Sequence, residues 1–145
     1  MNSDSFSEPA SLIRRASRLL THRGEVRLKT LGLAMAQVPV LTALKSDGAV
    51  LTQKELAAFA QIEQPTMAQL LARMERDGLI RKIPDPADKR SSLITLTRKA
   101  SDKLDDARAM LFQGNDEALN GFTEREIATL NRLLKRVVRN LEPAD

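Results

Sequence analysis

The chain has 145 residues, and its 23 Lys and Arg residues exceed its 19 Asp and Glu residues, which gives a formal net charge of +4 at pH 7. It contains no cysteine and a single histidine, His22. These counts exclude disulfides, thiolate metal sites, cysteine nucleophiles and any site built from several histidines of one chain. We therefore expect a protein that binds rather than catalyses, with no cofactor and no metal.

The N-terminal residues MNSDSFSEPA are polar and acidic, so they do not resemble a signal peptide. No apolar run approaches the roughly 20 residues that a membrane helix needs. We expect a cytoplasmic protein without a membrane partner and with a disordered tail over residues 1–8. Charge is uneven along the chain, because Arg14 to Lys29 holds six basic residues and one acid, whereas the segment from Asp102 onwards is mildly acidic.

Two helices are predicted in the first third of the chain. The first begins near Ser7 with Pro9 in its first turn, and apolar residues then recur at spacings of three and four. The second carries Met35, Val38 and Leu44 on one face. Pro39 lies within this second segment and predicts either a kink or a delayed helix start.

The middle of the chain predicts a helix-turn-helix. Thr52 and Glu55 fit a capping box that starts a short helix over about Gln53 to Ala60. Pro65 suits the first position of the next helix, and Gly78 suits the left-handed residue that ends it. Two helices joined by a turn of three to four residues form this motif.

A β-hairpin is predicted to follow. Residues 79–83 and 91–96 have strand character, and the segment between them is rich in Pro and Asp. Thr97 then caps a long helix, and Thr123 with Glu126 forms a second capping box before the last helix. That last helix has a continuous apolar seam, which needs a partner surface that a second copy of the chain could supply.

The segment from Leu51 to Thr97 resembles the MarR family of winged helix-turn-helix transcription regulators. Residues 61–66, Gln-Ile-Glu-Gln-Pro-Thr, look most like its SlyA branch, and Asp88-Lys89-Arg90 resembles the family's wing motif. The sequence departs from common family patterns at Lys89, Ala100 and Pro39. The resemblance implies a mainly α fold with a small β-hairpin wing and with N- and C-terminal dimerisation helices.

On this basis we expect one integrated domain. Residues 33–97 form the DNA-binding lobe, and residues 9–31 and 98–141 form the helical dimerisation region. The resemblance implies a homodimer that binds double-stranded DNA, with a recognition helix from about Pro65 to Asp77 in the major groove and the wing in the minor groove. The predicted DNA-binding residues are Gln64, Pro65, Thr66, Ala68, Gln69, Arg73, Arg81, Lys82, Asp88, Lys89 and Arg90.

Each residue type has a physical reason for its predicted role. Gln69 can pair with an adenine edge, and Arg90 can enter a narrow minor groove. Arg73 is either a phosphate contact or an intrahelical partner of Asp77. Arg81 and Lys82 contact phosphates or form a solvated strand face. By resemblance, Asp88 pairs with Arg90 and directs it.

The function implied is a transcription regulator, usually a repressor, that binds a pseudo-palindromic promoter site and is released by a small aromatic or anionic ligand. The absence of cysteine excludes the family's cysteine-oxidation switch. The basic run from Arg14 to Lys29 is either a second DNA patch or the solvated flank of a dimer helix. The alternative function is a helical dimer that acts through protein partners, with a degenerate winged domain. We do not expect an enzyme, because His22 lacks a nucleophile motif.

Overall fold

The computed structural model describes residues 4–143, without the side chains of residues 4–7 and 47. The helices are α1 (Asp4–Lys29), α2 (Val38–Lys45), α3 (Gln53–Ala60), α4 (Gln64–Arg76), α5 (Arg98–Ala118) and α6 (Glu124–Leu141). The strands are β1 (Leu51–Thr52), β2 (Ile80–Pro84) and β3 (Ser92–Leu96). This mainly helical architecture with a small antiparallel sheet confirms the predicted fold class.

The chain divides into two compact units, Met1–Leu111 and Phe112–Asp145, with the boundary inside α5. α1 begins at Asp4, before the expected start near Ser7, so Pro9 lies inside the helix. Residues 1–3 of the predicted tail lie outside the described residues. The predicted grouping of residues 9–31 with 98–141 stays a prediction.

α2 shows how a proline can set a helix start. A single 3-10 turn, Met35–Gln37, precedes the helix, which begins at Val38 with Pro39 as its second residue. A proline is tolerated there because the first N–H groups of a helix have no intrahelical partner. Of the two predicted outcomes, the delayed start is therefore the one observed.

The core of the first unit lies beneath the helix-turn-helix. Its largest side chains have less than 2% of their surface exposed and come from every helix of the unit and from the wing. They are Leu28, Val40, Leu41, Leu44, Leu56, Met67, Leu71, Met74, Leu79, Ile80, Ile94 and Leu104. α4 supplies three of these residues, so its orientation is determined by apolar burial along one face.

The wing is a three-stranded antiparallel sheet with the order β1-β3-β2. β2 pairs with β3 in the register Ile80 to Leu96 and Lys82 to Ile94, as the hairpin prediction requires. β1 was not predicted, since two residues are too short to show an alternating pattern. It pairs Leu51 with Ile94 and thereby joins the start of α3 to the wing.

Hydrogen bonds join the end of α4 to the start of α5. The hydroxyl of Thr97 accepts the N–H of Ala100 at 3.2 Å, which confirms the predicted cap, and lies 2.8 Å from the carbonyl oxygen of Gly78. The ammonium of Lys99 donates to the carbonyl oxygen of Asp77 at 3.2 Å. Gly78 has a φ of +73°, a left-handed conformation that costs glycine little.

In the second unit, the predicted capping box of α6 is confirmed. The hydroxyl of Thr123 accepts the N–H of Glu126 at 3.2 Å, and the carboxylate of Glu126 accepts the N–H of Thr123 at 2.8 Å. The apolar face of this helix is exposed, with Leu134 at 38%, Val138 at 54% and Leu141 at 80%. Across residues 4–143, no helix is long and apolar enough to cross a membrane.

Candidate nucleic-acid interface

Three residues, Gln61 to Glu63, connect α3 to α4. Gln61 ends α3 in a left-handed conformation with a φ of +54°. The side-chain amide of Gln53, at the start of α3, donates to the carbonyl oxygen of Gln64 at 3.3 Å. The first turn of α3 therefore holds the first residue of α4, which begins one residue before the predicted Pro65.

α4 has one buried face and one exposed face. Its buried residues are Met67, Leu70, Leu71 and Met74, as the apolar stripe predicted. Five of the predicted site residues on α4 are exposed, namely Gln64, Pro65, Thr66, Gln69 and Arg73, whereas Ala68 is half-buried. The N-terminal half of the helix thus exposes the uncharged polar side chains of Gln64, Thr66 and Gln69, at the end from which a helix-turn-helix reads bases.

The structure decides between the two interpretations of the Arg73 side chain within the chain itself. Asp77 forms its ion pair with Arg76, at 3.2 Å between Nε and Oδ1. The predicted intrahelical alternative, a pair between Arg73 and Asp77, is not formed. The guanidinium of Arg73 is exposed and has no ion-pair partner within residues 4–143.

The wing loop is shaped by two aspartates. The carboxylate of Asp88 accepts the backbone N–H of Arg90 at 2.9 Å, and that of Asp85 accepts the N–H of Ala87 at 2.9 Å. Asp88 therefore contacts Arg90 through the backbone N–H, and the two side chains form no ion pair within the described residues. The expectation that Asp88 directs the Arg90 side chain stays a prediction. Such Asx turns fix loop shape. Lys89 and Arg90 remain exposed, and the guanidinium of Arg90 has no ion pair in the described part of the chain.

An open groove of about 450 Å³ connects the two helices to the wing. Four of the predicted residues line it together, namely Gln64, Lys82, Asp88 and Arg90. Arg81, on the neighbouring position of β2, instead lines a separate groove beside Glu75, Gly78 and Lys99, which Lys82 also borders. Arg81 is therefore not assembled with the other predicted wing residues around the first groove.

Sequence reasoning missed the contribution of α3 to this groove. Thr52, Gln53 and Lys54 also line it. Their position at a helix N-terminus was the available signal, because the free N–H groups and the dipole there favour a phosphate. Asp85 lies in the segment predicted as a turn, and its hydrogen bond to Ala87 confirms that prediction.

The capping box at Thr52 has an electrostatic consequence. Hydrogen bonds from the backbone N–H of Thr52, and secondarily from its hydroxyl, stabilise the charged carboxylate and lower the pKa of Glu55 below 4.5. The same arrangement at Thr123 lowers the pKa of Glu126. Glu55 therefore loses its charge at a lower pH than it would without these hydrogen bonds.

His22 is exposed on α1. Among the residues that the structure describes, no group of three or more His, Cys, Asp or Glu side chains has a metal-binding arrangement.

Comparison with known proteins identifies this arrangement of a helix-turn-helix and a wing. Residues 31–91 match the sequence model of the MarR family. The chain is 34% identical to a solved transcriptional regulator, PA3341, covering 91% of this chain and 96% of that one with a TM-score of 0.75. The chain belongs to the MarR family. It is therefore a MarR-family transcription regulator, which agrees with the sequence prediction at the family level.

Two further relatives support the MarR assignment. The crystal structure of a mutant MarR from E. coli in complex with operator DNA aligns with a TM-score of 0.81 and 27% identity, covering 93% of this chain and 99% of that chain. The HTH-type transcriptional regulator YwoH of Bacillus subtilis is 27% identical over 123 residues, which is 85% of this chain and 88% of YwoH. The likeness thus extends well beyond the winged lobe.

The hydrogen bonds around Glu55 generate a pH prediction. Because the pKa of Glu55 is lowered on folding, its interaction stabilises the folded state above pH 4.5, and this contribution is lost as the pH falls through the folded pKa. NMR titration of the folded protein should give Glu55 a pKa below 4.5, and Thr52→Ala should raise it. Urea unfolding should show a smaller loss of stability on acidification for Glu55→Gln than for the natural protein.

Glu63→Gln is the matched control, because the Glu63 side chain makes no hydrogen bond within the described residues. It should leave the pKa of Glu55 lowered, as in the natural protein. A folded-state pKa of Glu55 at or above 4.5 with Thr52 intact would contradict the assignment.

Proposed function

We propose that this MarR-family chain is a homodimer that binds a pseudo-palindromic promoter site and acts as a repressor. The observation that carries the proposal is the exposed N-terminal half of α4 beside a wing whose Arg90 side chain has no ion-pair partner among the described residues. In a helix-turn-helix, this end of the second helix reads base edges in the major groove. The relative of known structure with operator DNA supports the same use of the lobe.

The exposed side chains suit distinct parts of the duplex. Gln69 can make a bidentate contact with adenine, and Thr66 can contact a thymine methyl group or a phosphate. Pro65 and Ala68 offer apolar contact. Arg73, without an ion-pair partner in the described residues, suits a phosphate, since it lies in the last turn of α4 and beyond the reading end.

The wing residues complete the proposed contact set. Arg90 suits a narrow A·T-rich minor groove, where the negative potential is strongest. Lys82 and Lys89 suit the flanking phosphates, and Arg81 suits a phosphate from its separate groove. Asp88 acts indirectly, because its hydrogen bond to the Arg90 N–H shapes the loop that presents Arg90.

A second copy of the chain would cover the apolar face of α6 and supply the second recognition helix. Two recognition helices read half-sites about one helical turn apart, which is why the operator is expected to be pseudo-palindromic. Residues 61–66, at the turn between α3 and α4, resemble the SlyA branch of the family, and we assign the chain to that branch. It acts in the cytoplasm on chromosomal DNA, blocks transcription by covering the promoter, and performs no catalysis.

The proposal includes an effector. A small aromatic or anionic ligand would release the operator if it bound more tightly to the dimer whose recognition helices have a spacing that DNA cannot accept. Such a ligand shifts the equilibrium only by its difference in affinity for the two spacings. The absence of cysteine removes thiol oxidation as an alternative way to change that spacing.

DNA binding is tested by a gel shift with the DNA upstream of the protein's own gene. We expect a specific shift at moderate salt, and Arg90→Ala should weaken binding by about ten-fold to a hundred-fold, the cost of one good groove contact. Arg108→Ala is the matched control, because Arg108 is an exposed arginine on α5 outside the winged lobe. Equal affinities for Arg90→Ala and the natural protein would contradict the wing assignment, and no specific shift from an intact dimer would favour the protein-partner alternative.

The dimer is tested at Leu134, in the centre of the exposed apolar seam of α6. Leu134→Glu should convert the dimer to monomer in sedimentation velocity measurements, since an unpaired carboxylate would be buried in the interface. Thr129→Glu adds the same charge at an exposed position on the polar face of α6 and should leave the dimer intact. If Leu134→Glu remains dimeric, the α6 seam is not the interface.

The effector is tested with benzoate as a simple aromatic acid. Millimolar benzoate should reduce operator binding in the same gel shift, and operator DNA should reduce benzoate affinity by the same factor, because the coupling is reciprocal. Benzoate binding that leaves operator affinity unchanged would rule out this ligand class as the effector.

A further inference from the structure

Four exposed arginines form a row along α6, and no role in the winged lobe accounts for them. With 3.6 residues per turn, these residues fall within about 60° of one another around the helix axis, over a length of about 21 Å. We call them the arginine row; they are Arg125, Arg132, Arg136 and Arg139.

The arginine row lies opposite the apolar seam of the same helix. Leu130, Leu134 and Leu141 are centred about 180° away from it on the helical wheel. If a second copy covers the apolar seam, the arginine row therefore still faces solvent. The two faces of α6 can serve two partners at once.

The row is unfavourable for the helix on its own. Arg132 and Arg136 are spaced i,i+4 and Arg136 and Arg139 i,i+3, and like charges at these spacings repel each other and destabilise the helix. Arg125 lies in the first helical turn, where the dipole disfavours a positive charge. Only Arg139, in the last turn, is favoured by the dipole.

Within residues 4–143, no acidic side chain forms an ion pair that would relieve this repulsion. None of the four arginines forms an ion pair within the residues that the structure describes. The two glutamates of α6 both lie in its first turn, and Glu126 is engaged in the capping box with Thr123. The positive charge along α6 is therefore available to an external anion.

The residues beside the arginine row indicate which anion fits. The nearest positions on this face are Ala128, Thr129 and Asn140, Lys135 borders it on one side and the partly exposed Leu133 on the other, and α6 contains no aromatic side chain. Protein interfaces rely on aromatic or apolar anchors, and a membrane surface needs apolar residues to insert. A row of guanidiniums with small polar neighbours instead suits the regularly spaced phosphates of a nucleic-acid backbone.

We propose that the arginine row of α6 is a second, sequence-independent DNA-binding surface, which contacts the phosphate backbone of a DNA segment other than the one read by α4. This inference rests on the proposed DNA-binding function for its biological setting. A dimer carries two such rows, and the proposal requires that they bind a second duplex while both copies of α4 occupy an operator. Once one duplex is bound, a linked segment is captured at high effective concentration.

The experiment compares the full-length protein with a variant that carries Arg132→Gln, Arg136→Gln and Arg139→Gln. Glutamine has a helix propensity similar to that of arginine, and the substitution removes like-charge repulsion, so thermal stability should not fall. The first measurement is anisotropy of a fluorescent duplex of random sequence, about 20 base pairs long, across a salt series. The second is capture of that duplex by protein already bound to immobilised operator DNA.

The binding constant of the variant for the random duplex should depend less steeply on salt. The slope of log K against log salt concentration should become less negative by about 0.9 for each phosphate that the protein no longer neutralises. Capture of the second duplex should fall by about ten-fold or more, since each phosphate neutralised contributes strongly at low salt. Operator affinity in the gel shift should change little. The corresponding Arg→Lys variant should retain capture, because lysine also neutralises a phosphate.

The matched control carries Arg14→Gln, Arg15→Gln and Arg18→Gln, which removes the same charge from exposed positions of α1. It should retain capture.

The proposal is overturned if the α6 variant keeps the natural salt slope and capture, or if both triple variants lose capture equally, which would indicate a general charge effect. It is also overturned if the natural protein binds a poly-glutamate peptide through these arginines while the random duplex is not bound. Failure of operator binding alone counts against the proposed function, because the anisotropy measurement does not use the operator.

Discussion

The burial of one face of α4 is the constraint on which the rest of the winged lobe depends. Met67, Leu71 and Met74 are fully buried, so the helix cannot rotate about its axis without exposing them. Full burial of each such side chain is worth about 1.5–3 kcal/mol. Gln69 and Arg73 are held on the opposite side as a consequence. Apolar packing thus determines which polar residues face a partner, although it contributes no contact to that partner.

Polar contacts fix the two ends of that helix. Gln53 donates to the carbonyl oxygen of Gln64 at the start, and Lys99 donates to the carbonyl oxygen of Asp77 at the end. Thr97 bonds the carbonyl oxygen of Gly78 and caps α5 with the same hydroxyl. The recognition helix is therefore connected to α3 on one side and to α5 on the other. A change in the position of α5 would be transmitted to α4 through these few hydrogen bonds.

Local chemistry explains what could be predicted from the sequence and what could not. The capping boxes at Thr52 and Thr123 and the turn at Gly78 depend on residues close in the chain, so they gave the helix bounds nearly correctly. β1 was missed because its two residues acquire strand character only by pairing with Ile94, far along the chain. The site shows a different limit. The side chains of α4 could be sorted by their apolar period. The hydrogen bond from the Arg90 N–H to Asp88 and the pairing of Arg76 with Asp77 depend instead on the local backbone conformation, which that period does not specify.

Charge balance along the chain concealed the most distinctive feature of α6. From Asp102 onwards acids outnumber bases, which predicted a mildly acidic C-terminal region. In the structure the acids lie mainly along α5 and at the ends of α6, while the arginines share one face of α6. The net charge of a segment adds together positive and negative side chains that lie on different faces or ends of its helices. Because screening limits electrostatic interaction to about 8–10 Å at moderate salt, a polyanion responds to the local row of arginines and not to the total for the region. The basic net charge of the molecule is thus better understood as separate basic segments on α1, on the winged lobe and on α6 than as a uniform attraction for DNA.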